Sequence, residues 1–469
     1  MSALLFIHDL KYEHLPAATR AQAKRCLLDL VGVAASGLQT GLSGIVRDFA
    51  HGQMVSRGPG ARMIFDGRRV SPSGAAFAGA STIDAFDAHD GHALTKGHAG
   101  VAILPALLAI ADATRMRDGR AFLANLVLGY EIATRAGIAL HASASDYHTS
   151  GAWNALGCAA VVSRMLGLDE DCTRHALGIA EYHGPRSQMM RCIAHPTMLK
   201  DGSGVGAFTG VSSAYLARDG FTGAPAVTLE SPDQASVWSD LGTRWRIEEQ
   251  YFKPYPVCRW AQPAIDAAAT LITRHRIEPH AIESVRLETF AHAVELGARM
   301  PATTEEAQYA IGFPLAAFLV RGQVGAAEIT GDGLRDPAVL DMTRRIVLID
   351  NPAFTQMFPA RRVATVAIAC RDGSIVTSEP TEAHGDPERP LSDHEVSDKF
   401  HRLASHLASS RRRRIEDAVD SIDRQPDALE KLMSAVLTRV REPARPKRAD
   451  RTETHAKPSN KPSNLERIT

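Results

Sequence analysis

The sequence predicts a mainly α protein, a large all-helical domain into which a smaller α+β domain is inserted. Three observations lead there. Alanine- and leucine-rich stretches with helical periodicity dominate the first two-thirds of the chain, the pattern switches to period two beyond Tyr251, and helical patterns return after Pro390. The expected boundaries are residues 1–253 for the first helical part, 254–388 for the α+β insertion, 389–443 for the helical return, and 444–469 for a disordered basic tail. At 469 residues the chain can bury a large core.

Each element has its own signal. Pro16 opens a helix over residues 17–35, where Leu27, Leu28, Leu30, Val31 and Val33 supply an apolar face and Gly37 acts as a stop. Helices follow at 101–113, 119–137, 150–166, 173–181 and 204–218, divided by Gly, Asp or Ser. Their short links predict an all-α body. The exception is a short hairpin over 61–70, turning at Asp66-Gly67. Lys253-Pro254-Tyr255-Pro256 breaks the texture, and a helix beyond Asp266 leads to a strand at 282–290. Residues 363–369 and 375–377 read as a hairpin turning at Asp372-Gly373. After Pro390, Ser410 is expected to cap a helix carrying Arg411 to Arg414, whose charges would spread as a solvated, partly paired surface. A last helix is expected at 427–440, ahead of a Pro-, Lys- and Ser-rich tail.

The charge balance limits the partners. Lys plus Arg and Asp plus Glu are both 53; residues 441–469 hold 8 and 4 of them, leaving 45 and 49 in residues 1–440. The body is mildly acidic, which excludes the broad positive field of a protein that binds nucleic acid or an anionic membrane. An anionic ligand must be held by local charge. The six cysteines are far apart with no C-x-x-C pair, so reduced, mostly buried thiols are expected rather than a zinc ribbon or redox dithiol. No basic leader is apparent at the start, and apolar stretches are too short to span a bilayer. A cytoplasmic protein is expected.

Three polar clusters interrupt the apolar helices. The first holds Asp84, Asp87, His89, Asp90 and His92, then Lys96 and His98. On a helix end Asp84 and Asp87 would share a face and could orient a histidine or lysine; a metal site or an idle surface loop are the rivals. The second is Tyr147-His148, just before an apolar run, where an imidazole could act as acid or base or simply sit in a capping region. The third runs from Glu181 through Arg186 and Arg191 to Lys200 and Gly202-Ser203-Gly204-Val205-Gly206. Lys200, entering a small-residue helix, could be desolvated into a usable base, with the glycines letting backbone approach a ligand, or it could be a surface residue.

The order of these clusters resembles the MmgE/PrpD family, whose members include 2-methylcitrate dehydratase, cis-aconitate decarboxylase and iminodisuccinate epimerase. The resemblance covers about residues 15–440. It rests on Lys24-Arg25-Cys26-Leu27-Leu28-Asp29, Asp84-x-x-Asp87-x-His89, His98-Ala99-Gly100-Val101 through Pro105, Gly129-Tyr130-Glu131 and His148-Thr149. Thr197-Met198-Leu199-Lys200, Phe252-Lys253-Pro254-Tyr255-Pro256 and Pro263-Ala264-Ile265-Asp266 complete it. It implies a helical domain with the α+β part as a lid, a site between them without metal or cofactor, and a homodimer. Two positions depart from the dehydratase and decarboxylase pattern: Gln262 stands where a histidine is usual, and Phe313 where the decarboxylase-like members resemble a tyrosine.

The implied chemistry is removal of a proton next to a carboxylate of a small di- or tricarboxylate. Lys200, His148 and Tyr147 are the expected base and acid, with His98, Asp84 and Asp87 orienting or tuning them. His89, Lys96, Arg186, Arg191, Arg259 and Gln262 are the expected substrate contacts. A lyase outcome, by hydro-lyase or related decarboxylase chemistry, stands first on family breadth. An epimerase and a catalytically silent carboxylate-binding homologue are the alternatives.

Overall fold

In the computed structural model, which describes residues 2–440, the first long helix is Ala17–Gly37. Helices Gly100–Thr114, Gly119–Ser143, Gly151–Met165, Glu170–His183 and Ser203–Arg218 follow, so the periodic stretches are helices, most of them longer than expected and Gly151–Met165 one residue shorter at each end. Gly100–Thr114 is apolar on all sides because it is enclosed on all sides, with Val101 to Leu104 fully buried. The described chain is mostly helical.

Helices Gly151–Met165 and Ser203–Arg218 pack on one another through small residues. A β carbon at Gly206 would overlap the Asn154 side chain, and one at Gly210 would come within 2.5 Å of Cys158 Cβ. Gly206 and Gly210 therefore serve close helix packing, while Gly202 supplies the left-handed residue before the helix. Helix Asp393–Leu403, opened by a Ser392/Glu395 capping box, returns to pack on Ala17–Gly37. There Lys399 Nζ lies 2.5 Å from Asp29 Oδ1, with both side chains buried.

Ser410 is not a cap. The helix is Ser409–Ser421, its N-cap is Ala408, and the Ala408 carbonyl accepts from Arg411 and Arg412 N–H. Arg411 donates to Ala435 O at 2.8 Å and Arg412 to His401 O at 2.9 Å, while Arg413 and Arg414 are exposed. Helix Ala428–Val436 is shorter than expected. The expected tail at 444–469 lies outside the described residues.

The period-two segment is strand Ile282–Thr289, the centre of a mixed sheet. It runs parallel to Ile346–Asp350, with Val285 opposite Ile346, and antiparallel to Val363–Cys370, with Val285 opposite Ile368. Ile375–Thr377 and Thr381–Glu382 both pair with Val363–Cys370, the former across the Asp372-Gly373 turn, where Gly373 has φ +86°. Helix Gln262–His275 packs on this sheet, and helix Gly312–Arg321 packs on that helix. The short hairpin is present as Ala61–Arg62 paired with Arg69–Val70.

Among the described residues no single helix is long and apolar enough to cross a membrane; Ala17–Gly37 and Gly41–Gln53 pass on length and composition only as a pair bent by 92°. All six cysteines are free, four of them buried.

Candidate active site

The site begins where helix Pro72–Asp84 ends. Asp84 is its last residue and Asp87 lies in the turn beyond, so the two are not a helix-face pair as the spacing suggested. They converge through His89 instead, whose Nε2 is 3.5 Å from Asp84 Oδ1 and 3.9 Å from Asp87 Oδ1. The chain then forms Gly91–His92, a two-residue strand antiparallel to Gln250–Tyr251. A β carbon at Gly91 would lie 2.5 Å from Tyr251 Oη and 2.7 Å from His98 Nδ1, so the absence of a side chain lets both rings in.

His98 is held on two sides. Its Nδ1 donates to Asp90 O at 2.6 Å and its backbone N–H to Ser150 Oγ at 2.9 Å. The Ser150 hydroxyl in turn donates to Asp201 Oδ2 at 2.5 Å. With the proton on Nδ1, Nε2 carries the lone pair. Burial, then Lys253, holds the imidazole well below its ordinary pKa, so it is neutral. His89 is driven the same way, to about 3, by burial and then Lys253.

Two lysines balance the acids. Lys253 Nζ is 2.5 Å from Asp87 Oδ1, with both side chains almost fully buried. Lys200, whose backbone is left-handed at φ +50°, donates to Gln308 Oε1 at 2.7 Å and lies 4.5 Å from the Tyr309 ring centre. Gln308 Oε1 also accepts the Asp87 N–H at 2.8 Å, and its amide donates to Thr304 Oγ1 at 2.8 Å and Ala85 O at 3.2 Å. Burial alone would raise Asp87, but Lys253 and then Lys200 overcome it and leave the carboxyl well below its usual range. Asp84 and Asp201 are raised, Asp84 by burial and the nearby Asp87 against the pull of Lys200, and Asp201 by burial and Asp84.

These groups wall a small cavity. Its cations are Lys96, Lys253, Arg259 and Arg362. His98, Asp87 and the rings of Tyr147, Tyr251 and Tyr309 complete the polar lining. Tyr147 donates its hydroxyl to Lys96 O, and burial, then Asp201, pushes its pKa well up, so it stays a proton donor. Arg259 is committed: it pairs with Asp386 at 2.7 Å and donates to His384 O at 3.0 Å.

Of the residues expected from the sequence, Asp87, Lys96, His98, Tyr147 and Arg259 line this cavity, and Asp84, His89 and Lys200 form the buried cluster next to it. His148 stands apart. It is half-buried, its N–H donates to His141 Nε2 at 3.2 Å, and Arg186 and Asp146 act on its ring. Arg186 and Arg191 are exposed. Gln262 is buried but turned into its own loop, donating to Tyr255 O at 2.8 Å and Val257 O at 3.0 Å. Phe313 is buried within its helix and does not line the cavity.

The structure adds Lys253, Tyr251, Gln308, Tyr309, Arg362 and Asp201. Lys253 lay inside a recognised motif and Asp201 next to Lys200, so proximity was a usable signal for both. Gln308 and Arg362 stand outside the three polar clusters singled out in the sequence.

Asp87, His89 and His98 could each offer one ligand atom to a metal, all within 4.8 Å of one another. The Lys253 ammonium already occupies Asp87 Oδ1, however, and Lys200 lies close behind. A metal ion would have to displace one cation and face the other, so this donor set fits a lysine–carboxylate pair better than a metal.

Residues 5–243 match the MmgE/PrpD N-terminal domain and residues 255–424 the MmgE/PrpD C-terminal domain. A cis-aconitate decarboxylase-like protein of Aspergillus oryzae is 26% identical over 481 residues, covering 91% of this chain and 95% of the relative. The cis-aconitate decarboxylase of Aspergillus terreus is 24% identical over 469 residues, covering 89% and 92%. The human cis-aconitate decarboxylase is 24% identical over 473 residues, covering 94% of each. With both domains matched in order over most of its length, the chain belongs to the MmgE/PrpD family.

Proposed function

We propose that the protein is a cofactor-independent lyase that forms a carbanion α to a carboxylate of a small di- or tricarboxylate. The observation that carries this reading is a small cavity lined by four cations and a neutral imidazole. His98 Nε2 is the base, its tautomer set by Asp90 O and its neutrality by burial. Lys253 stabilises the enediolate charge that grows as the proton leaves. Tyr147, kept protonated, is the acid that meets the leaving group or returns a proton. Lys200 positions this machinery through Gln308 and the Asp84/Asp87 corner.

Two lyase outcomes fit the same groups. In a hydro-lyase the enediolate collapses to an alkene and expels the β-hydroxyl, which Tyr147 protonates to water. In a carboxy-lyase the departing CO2 leaves the electron pair behind on a carbanion delocalised toward a remaining carboxylate, and the acid protonates it. The names of the relatives favour the second. An epimerase is the alternative, in which a second group returns the proton to the opposite face of the carbanion.

Segment 254–388 acts as the lid, a reading supported by Arg259, Tyr309 and Arg362, which reach the cavity from it. Free cysteines favour the cytoplasm. A homodimer is supported by exposed apolar side chains at Ile45, Phe49, Met198 and Leu199; light scattering would test it.

Proton NMR in D2O with cis-aconitate, 2-methylcitrate and simpler dicarboxylates tests the chemistry. A lyase gives a decarboxylated or newly unsaturated product, and an epimerase gives α-deuteration with no net loss. Neither exchange nor product, despite ligand binding, would overturn the proposal in favour of a silent binder.

A further inference from the structure

The cations of the cavity are not equivalent. Lys253 is matched by Asp87 and Arg259 by Asp386. Arg362 and Lys96 have no acidic partner among the described residues. Arg362 is 5% exposed; among the described residues its only hydrogen bond runs from Nη2 to Ala93 O at 3.2 Å and its buried Nε has no partner. Buried guanidinium N–H groups carry a desolvation cost unless something accepts from them.

The two residues share an anchor. Ala93 O also accepts the Lys96 N–H, so one carbonyl ties the body loop to the start of strand Val363–Cys370. Lys96 is fixed further by its left-handed backbone, φ +50°, and by Tyr147, which donates to its carbonyl. Its ammonium lies 4.6 Å from the Tyr147 ring centre and 5.9 Å from that of Phe358. Burial and then the nearby Arg362 lower its pKa, the response of two like charges facing one space. The Tyr251 ring neighbours both Arg362 and the proposed base, with its centre 5.7 Å from the Arg362 guanidinium and 6.3 Å from the His98 ring.

We propose that Arg362 and Lys96 form the subsite for a second carboxylate of the substrate, the one remote from the carbon that loses its proton. This rests on the proton-abstraction reading and deepens it by naming the two residues that hold the second carboxylate. A guanidinium with an unpartnered Nε–H suits recognition of a carboxylate, and the ammonium beside it supplies the second charge. Because Arg362 comes from segment 254–388 and Lys96 from the helical part, the same carboxylate ties the two together.

The test is calorimetric titration of the wild-type protein, Arg362→Gln and Lys96→Gln with succinate and tricarballylate as probes, and with butyrate as the monocarboxylate control. The wild type is expected to bind the polycarboxylates at least about tenfold more tightly than butyrate. Each glutamine variant is expected to lose that margin while keeping its butyrate affinity, and Arg362→Lys to retain part of it. Thermal melts establish folding; if Arg362→Gln does not fold, Lys96→Gln and Arg362→Lys decide. A wild type without the margin, or glutamine variants that keep it, overturns the subsite. If the margin depends on Arg362 but no substrate exchanges its α-proton or gives a product in D2O, the subsite stands and the catalytic reading falls. The reverse pair of results removes the subsite alone.

Discussion

The side-chain oxygen of Gln308 accepts the Lys200 ammonium at 2.7 Å. The same oxygen accepts the Asp87 N–H, so one neutral amide joins the catalytic-cluster lysine to the carboxylate turn. Gln308→Leu would leave the buried Lys200 ammonium and the Asp87 N–H without this acceptor. The expected loss is about 1–3 kcal/mol in urea unfolding, together with a fall in turnover, whereas Gln308→Glu restores an acceptor and should recover most of the stability. Equal stability of the leucine variant and the wild type would mean that Lys200 finds another partner.

The Asp84–Asp201 pair predicts a distinctive pH dependence. Asp201 is raised from 3.8 to about 7, so the folded protein keeps a proton that the unfolded chain has lost. Such a group costs nothing below about pH 4 and destabilises progressively as the pH rises toward 7, because the native state binds more protons there. His89 and His98, neutral when folded, have the opposite slope, but they are present in both proteins being compared. Asp201→Asn, which can still accept from Ser150, should therefore gain stability relative to the wild type between pH 5 and pH 8, by on the order of 2 kcal/mol. Urea unfolding at the two pH values measures this directly. A gap that does not change with pH would show that Asp201 titrates normally.

Gly91 allows Tyr251 and His98 to approach each other, and Gly91→Ala tests how finely that geometry matters. The added methyl would sit 2.5 Å from Tyr251 Oη and 2.7 Å from His98 Nδ1, on the side of the His98–Asp90 hydrogen bond. The tyrosine tip can shift, so the stability loss should stay at about 1–3 kcal/mol. The histidine cannot move without losing its tautomer lock. Turnover on the true substrate should thus fall by at least about tenfold in a protein that still melts cooperatively. Unchanged turnover would remove His98 from the role of base.

These relationships differ in how far they could be read from the chain itself. Ala17–Gly37, Gly100–Thr114, Gly119–Ser143, Gly151–Met165, Glu170–His183 and Ser203–Arg218 were legible as long Ala- and Leu-rich segments divided by Gly, Asp or Ser, whereas Gly41–Gln53 and Pro72–Asp84 between them were not read. Strand Ile346–Asp350 was not, since five residues of a half-buried parallel strand carry too little pattern to separate from a helix fragment. Asp84, Asp87, His89 and His98 stood out as polar residues in apolar surroundings. Gln308 and Arg362 did not, because their partners lie 108 and 269 residues away and only the fold supplies them. Gln262 differs again: its position in the motif suggested substrate contact, and its amide donors go to the loop behind it.

That orientation makes Gln262→His a decisive variant. It installs the histidine usual in dehydratase- and decarboxylase-like members, at a position fully buried here. The Gln262 amide satisfies both Tyr255 O and Val257 O, whereas a neutral imidazole has a single N–H to offer. One buried carbonyl loses its donor, and the urea midpoint should drop by an amount equivalent to about 1–3 kcal/mol. The ring would point into the 255–257 loop rather than the cavity, so the ratio of α-deuteration to product formation in D2O should stay as in the wild type. A shift of that ratio toward lyase product would overturn this orientation. It would mean that residue 262 reaches the substrate and that its identity divides the lyase from the epimerase outcome in this protein.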